Sequence, residues 1–263
     1  MDAAIIIPAR YQSSRFPGKP LAMIKGATGR EKSLIARCIE AARLVGGSPT
    51  IVVATDDDRI AAEAANWGAE AVITSSTCRN GSERIAEAVA KLGIDKRILV
   101  NFQGDAPLTP PWFVDALLNE MQADASVAVA TPVMPYAAAE LEKVRRDLAE
   151  GKRGPTAVVF DNDHNALYFS KELIPSLSTA GATPDVFHHI GLYAYRTEAL
   201  ADYAMAEPTR LELAEGLEQL RFLERGTPVR AVEVDSRGRV QWEVNFPGDV
   251  AIVEEQLARL AIP

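Results

Sequence analysis

The sequence predicts an α/β fold: a mostly parallel twisted sheet with helices on both faces, plus a subdomain that contains a β-hairpin. Three observations carry this. Short apolar runs at 3–7, 50–54, 71–74 and 98–102 alternate with segments of helical period. Such β-α-β-α alternation is the pattern of parallel strands joined by crossover helices. A loop rich in cations follows the first apolar run at once. Further on, two β-prone runs at 156–160 and 166–170 flank the turn-forming pair Asn162-Asp163, as in a hairpin.

The run at 3–7 reads as a buried strand. The loop after it holds Arg10, Arg15 and Lys19, punctuated by Pro8, Pro17, Gly18 and Pro20. Open α/β sheets bind ligands at the C-terminal ends of their strands. Arg grips phosphate oxygens bidentately, and Lys acts as a point charge. By residue type alone the loop is equally a solvated basic turn. It is neither G-x-x-x-x-G-K-[ST] nor G-x-G-x-x-G.

A helix is expected at 32–45, with Leu34, Ile35, Cys38 and Ile39 on one side and Gly46-Gly47 ending it. T-D-D-D-R-I caps a second helix at 58–67, and a third is expected at 82–92. Ser82-Glu83-Arg84 reads as its N-cap with flanking charges. The strand at 98–102 runs into Gln103-Gly104-Asp105, at the sheet edge of the basic loop. A carboxylate there is either part of a turn or a ligand for a hard cation beside phosphate.

Beyond Pro110-Pro111 come a helix to about residue 121, a strand at 127–133, a helix at 137–148 and a connector at 150–155. The hairpin and a loop at 176–185 follow. The segment 211–224 has helical period, with Leu213, Leu217, Leu220 and Leu223 as its apolar stripe. That places Glu215, Glu218 and Gln219 on solvated faces. Strands at 229–234 and 240–244 lead into a C-terminal helix.

The 263 residues, 48% of them hydrophobic, suffice for one large α/β domain. The net charge of −8 argues against a nucleic-acid partner. No apolar run approaches the roughly 20 residues of a membrane helix, and no charged-then-apolar leader is read at the start. Cys38 and Cys78 form no C-x-x-C, which points to a reducing cytoplasm.

I-P-A-R-Y-Q-S-S-R-F-P-G-K-P-L, residues 7–21, resembles the N-terminal signature of the 3-deoxy-manno-octulosonate (Kdo) cytidylyltransferases. It is more distantly similar to sugar-nucleotide pyrophosphorylases and sialic acid activating enzymes. V-V-A-T-D-D-D-R-I, G-S-E-R, V-N-F-Q-G-D-A-P-L, A-L-Y-F-S-K, H-H-I-G-L-Y-A-Y-R and the E-x-L-E-Q-L-R helix extend the resemblance to about residue 257. It implies a nucleotide-diphospho-sugar transferase-like fold. It also implies CMP transfer from CTP to a Kdo-like sugar acid, with release of pyrophosphate.

The resemblance gives catalysis to Arg10, Lys19 and Asp105. The nucleotide falls to these cations with Pro8, Ala9 and Arg15, and to Thr74, Ser75, Ser82, Arg84 and Gln103 on the base and ribose side. The acceptor falls to Lys171, His189, Tyr193, Glu218 and Gln219. The resemblance also implies a Mg²⁺ site at Asp105 and at the position held by Asn245. Within one domain, 1–135 is the nucleotide half, and 136–263 the acceptor half through which a homodimer forms. The partners are CTP and a small acidic acceptor, with no nucleic acid and no membrane.

The chain departs from the family pattern at several places. Ser82 stands for Thr, Ala106 for Glu, Ala157 for Lys, Lys171 for Arg, His188 for a cation and Asn245 for Asp. Three accounts of Asn245 are open. The acceptor brings an extra negative charge; Glu243 substitutes, sharing the face of Asn245 if both lie in a strand; or the protein is an inactive nucleotide binder. The joint change at 157, 171 and 188 favours the first. The alternative acceptors are then 8-amino-Kdo, another nonulosonic acid or a phosphonate.

Overall fold

A computed structural model describes residues 2–152, 155–176 and 185–263. The chain forms two compact units, Met1–Asp115 with Ser236–Pro263, and Ala116–Asp235. The segment carrying Asn245 therefore belongs with the basic loop, and not with the half in which the sequence reading grouped 136–263.

In the first unit, β1 (Ala3–Ala9) is followed by a small antiparallel pair, β2 (Met23–Lys25) and β3 (Glu31–Ser33). Then come α1 (Leu34–Arg43), β4 (Thr50–Thr55), α2 (Asp58–Asn66), β5 (Glu70–Ile73), α3 (Gly81–Leu92), β6 (Ile98–Asn101) and the first turn of α4 (Pro111–Ala123), whose remainder belongs to the second unit. The larger strands pair in parallel in the order β5-β4-β1-β6. A parallel strand covered on both faces needs an unbroken apolar run. Ile5, Ile6 and Ile7 supply it and are fully buried, each contributing about 1.5–3 kcal/mol relative to exposure. Ser33, Asp57 and Asn80 cap α1, α2 and α3 by accepting backbone N–H bonds.

The second unit contains β7 (Val129–Pro135), α5 (Ala138–Ala149), β8 (Ala157–Phe160), β9 (Ala166–Ser170), β10 (Phe187–His189) and β11 (Tyr193–Arg196). After these come α6 (Thr197–Met205), α7 (Arg210–Glu215), α8 (Leu220–Glu224) and β12 (Val229–Glu233). β7 pairs antiparallel with β11 and β10, and parallel with β12. β8 and β9 form the expected hairpin, where Asp161 Oδ1 accepts the amides of Asp163 and Asn165. The expected connector at 150–155 and loop at 176–185 lie partly outside the described residues. The chain then returns to the first unit and ends in α9 (Asp249–Arg259).

Two expected elements differ. The helix at 211–224 is broken, because Gly216 adopts φ 64° and its amide closes α7 on the Glu212 carbonyl. The leucine period runs across that glycine on both sides and does not register the break. Leu213 is 70% exposed, while Gln219, expected on a solvated face, is buried. Glu212 is buried too, its carboxylate taking Arg221 Nε and Nη2 at 2.6 Å each. The strand at 240–244 does not form. Its backbone is tied otherwise: Val244 N donates to the Asp105 carbonyl at 2.8 Å. Just beyond, the amides of Asn245 and Phe246 both donate to Asp249 Oδ2 at 2.7 Å. No helix among the described residues is long and apolar enough to cross a membrane.

Candidate active site

The first unit holds a cavity of about 200 Å³ where β1 and β6 end. Gly104 makes this junction possible: a Cβ there would lie 2.6 Å from the Pro8 carbonyl oxygen. Any larger residue would push the Asp105 turn away from the basic loop.

One wall is that loop. Its ends are joined where Gly18 N donates to the Tyr11 carbonyl at 2.9 Å. Arg10, Arg15 and Lys19 all line the cavity, with Pro8 and Ala9. Lys19 Nζ donates to Asp105 Oδ2 at 2.7 Å. Arg15 Nη2 donates to Asn245 Oδ1 at 2.9 Å, and its guanidinium lies 5.1 Å from the centre of the Phe246 ring. Glu243 is within 3.5 Å of the Asn245 amide. Glu243 keeps solvent contact, yet desolvation around its carboxyl and the charge of Asp105 raise its pKa above the ordinary value. The carboxyl groups of Asp105 and Glu243 thus lie on the side of the cavity that Lys19 and Arg15 hold.

The opposite wall contains Cys78, Arg79, Asn80, Gly81 and Arg84, with Gln103 at the turn. Gln103 Nε2 donates to Asn101 Oδ1 at 3.1 Å. Thr74, Ser75 and Ser82 stand behind this wall and do not line the cavity. Thr74 Oγ1 donates to the Thr55 carbonyl and accepts from Arg84 Nη1. Ser75 N donates to the Glu87 carboxylate. Ser82 is fully buried. The cap of α3 is Asn80, which accepts from Glu83 N at 2.9 Å. Gly81, of the G-S-E-R motif, lines the cavity, and so do Asn80, Cys78 and Ser13, to which the sequence assigns no role of their own. The helix-start signal at Asn80 was available, but it was assigned to Ser82.

In the second unit, His189, Tyr193 and Gln219 come together. Tyr193 Oη donates to Gln219 Oε1 at 3.0 Å, and the His189 and Tyr193 rings lie 5.3 Å apart. Among the described residues, His189 Nε2 and Gln219 Nε2 are buried without a hydrogen-bond partner. Buried polar atoms are normally paired, so this cluster has unspent capacity for a polar ligand. Burial, then the neighbouring His188, lowers the His189 pKa to about 3, leaving the ring neutral. Lys171 Nζ reaches the Gly216 carbonyl at 3.5 Å, and Lys171 N donates to Glu215 at 3.0 Å. Glu218 is half-buried next to Gln219 in sequence.

A family model described as Cytidylyltransferase matches residues 4–233. The 3-deoxy-manno-octulosonate cytidylyltransferase of Maricaulis maris is 45% identical over 258 residues, 98% of each chain. The protein of that name from Chlamydia pneumoniae is 41% identical, over 97% of this chain and 94% of its own. The solved structure of a CMP:2-keto-3-deoxy-manno-octonic acid synthetase complexed with CTP superposes with a TM-score of 0.85 at 34% identity. It covers 98% of this chain and 99% of that one.

Proposed function

The chain belongs to the 3-deoxy-manno-octulosonate cytidylyltransferases within the cytidylyltransferase family, and from that premise we propose that it transfers CMP from CTP to Kdo with release of pyrophosphate. The observation that carries this is the gathering of Arg10, Arg15, Lys19 and Asp105 around one cavity. Three cations facing one pocket suit a triphosphate. The relatives' shared name favours Kdo over the different acid that Asn245 suggested.

In the reaction, a hydroxyl oxygen of the acceptor bonds to the α-phosphorus of CTP. The bond from that phosphorus to the bridging α–β oxygen breaks, and pyrophosphate leaves with the electron pair. The hydroxyl proton passes to solvent. No covalent enzyme intermediate is needed, so the protein's share is positioning and charge neutralisation. Lys19 and Arg10 neutralise the departing phosphates, and Arg15 holds the rim of the cavity against Asn245. Asn80, Gly81 and Gln103 shape the nucleoside side.

Magnesium is part of the proposal. Asp105, Asn245 and Glu243 offer only oxygen donors, and Mg²⁺ is held by one or two carboxylates together with substrate phosphates. Asp105 already has a cation, the Lys19 ammonium, at 2.7 Å, so its carboxylate is placed to meet positive charge. When bound, the ion would neutralise phosphate charge and polarise the α-phosphoryl group.

The acceptor is assigned to the His189–Tyr193–Gln219 cluster, with Lys171 and Glu218, supported by the unpartnered nitrogens of His189 and Gln219. A homodimer formed through the hairpin-containing half is also proposed, as the family resemblance implies. Both cysteines are free, in keeping with a cytoplasmic location. The test is a pyrophosphate-release assay with CTP, Mg²⁺ and Kdo, alongside light scattering for the dimer. Release that does not depend on Kdo would refute the acceptor, and a monomer at micromolar concentration would refute the dimer.

A further inference from the structure

Asp56 follows directly on β4 and uses its two carboxylate oxygens in two directions. Oδ1 accepts the backbone amide of Tyr11 at 2.9 Å. Oδ2 pairs with Arg84 Nη2 at 3.2 Å. Tyr11 is the residue after Arg10 in the basic loop, and Arg84 lines the opposite wall of the same cavity. One carboxylate therefore joins the two walls.

Both ends of this link are well fixed. The Arg84 and Asp56 side chains are 4% and 10% exposed. Arg84 Nη1 is held by Thr74 Oγ1 at 2.6 Å. Tyr11 accepts the Gly18 amide with its carbonyl, and the Arg59 guanidinium stacks 3.6 Å from its ring centre. Arg59 is in turn gripped by Asp57 through two bonds, of 2.9 and 2.7 Å. A buried Arg paired in this way is costly to leave alone, so the Asp56–Arg84 link resists being traded for other contacts.

We propose that Asp56 is a positioning residue for CMP transfer, holding the phosphate-binding loop at a set distance from the base-side wall through Tyr11 and Arg84. The proposal rests on the reading that this cavity takes CTP. Base and triphosphate are two moieties on one tether, and their combined affinity exceeds that of either only when both subsites sit at the right spacing. Loss of the link should therefore weaken the joined ligand more than its parts.

The test is calorimetric titration of CTP, CMP and inorganic tripolyphosphate into wild-type, Asp56→Ala and Asp56→Asn proteins, with kcat and KM measured in parallel. For Asp56→Ala, CTP affinity should fall at least about tenfold while CMP and tripolyphosphate each stay within about threefold. The value of kcat should fall about tenfold as the α-phosphate loses its alignment. Asp56→Asn retains an acceptor for Tyr11 but loses the charge facing Arg84, and should lie between the two; it carries the test if Asp56→Ala does not fold. Equal loss of all three ligands would mean a general structural role and overturn the proposal. So would unchanged CTP affinity in a folded variant. Wild-type protein that binds no CTP would overturn the functional reading itself.

Discussion

In the first unit two of the three cations of the basic loop already have partners: Lys19 forms an ion pair with Asp105, and Arg15 donates to the neutral Asn245 amide. In the second unit the proposed acceptor cluster is the reverse, with His189 Nε2 and Gln219 Nε2 buried and unpartnered. Charge at the first site is only partly balanced within the protein, and CTP and its cation must replace the Lys19–Asp105 ion pair. Polarity at the second site is left unbalanced, at a cost in stability that a ligand would relieve. The two sites should therefore fail differently when altered.

The largest effect is expected at Asp105. Asp105→Asn removes the carboxylate that meets both Lys19 and the proposed cation, and magnesium-dependent turnover should fall on the order of 10³-fold. Retained activity at ordinary Mg²⁺ would move the metal to other ligands. Lys19→Ala should lower kcat on the order of 10²-fold if, as proposed, the ammonium meets charge that develops on the leaving pyrophosphate. Near-normal kcat with only a raised KM would show that the loop binds substrate and transition state equally.

How far these sites could be read beforehand follows the same division. Local signals located the basic loop, the parallel strands and the Gln103-Gly104-Asp105 turn, because a doubly covered strand and a proline-punctuated loop are written in neighbouring residues. The break at Gly216 was not read, since leucines on both sides kept one helical period. The absence of a strand at 240–244 depended on Asp105 and Asp249 claiming nearby backbone amides, which periodicity does not register. Ser82 was expected to meet the base, but Asn80 takes the cap and Ser82 turns inward. The site's chemistry came from the motif resemblance; residue type alone left the loop and the Gly-Asp turn open.

In the second unit the expected effect is smaller and depends on pH. Burial holds the His189 pKa at about 3, against the ordinary 6.5, so the folded protein keeps the ring neutral while the unfolded chain takes up a proton below about 6.5. This contribution to stability is full above that pH and declines as pH falls from 6.5 toward 3. The Tm should drop with acidification over that window, and His189→Gln should flatten the profile there. An unchanged slope in the variant would place the acid sensitivity elsewhere, with His188 the next residue to test, since burial lowers its pKa too.

The smallest effect is expected at Asn245. Asn245→Asp gives Arg15 a charged partner near the cavity rim and adds one negative charge beside Asp105 and Glu243. The Mg²⁺ concentration for half-maximal rate should fall by less than about fivefold, the scale of a partly exposed ion pair. A much larger improvement with Kdo would mean that Asn245 suits a different acid.

The most direct test of the account is the formation of CMP-Kdo from CTP and Kdo at low-millimolar Mg²⁺, read as pyrophosphate release and checked by isolating the product. The account predicts release that requires Kdo and the metal together, and that falls sharply when UTP, ATP or GTP replaces CTP. Comparable release with a purine triphosphate, or turnover of another 2-keto acid with none of Kdo, would contradict it.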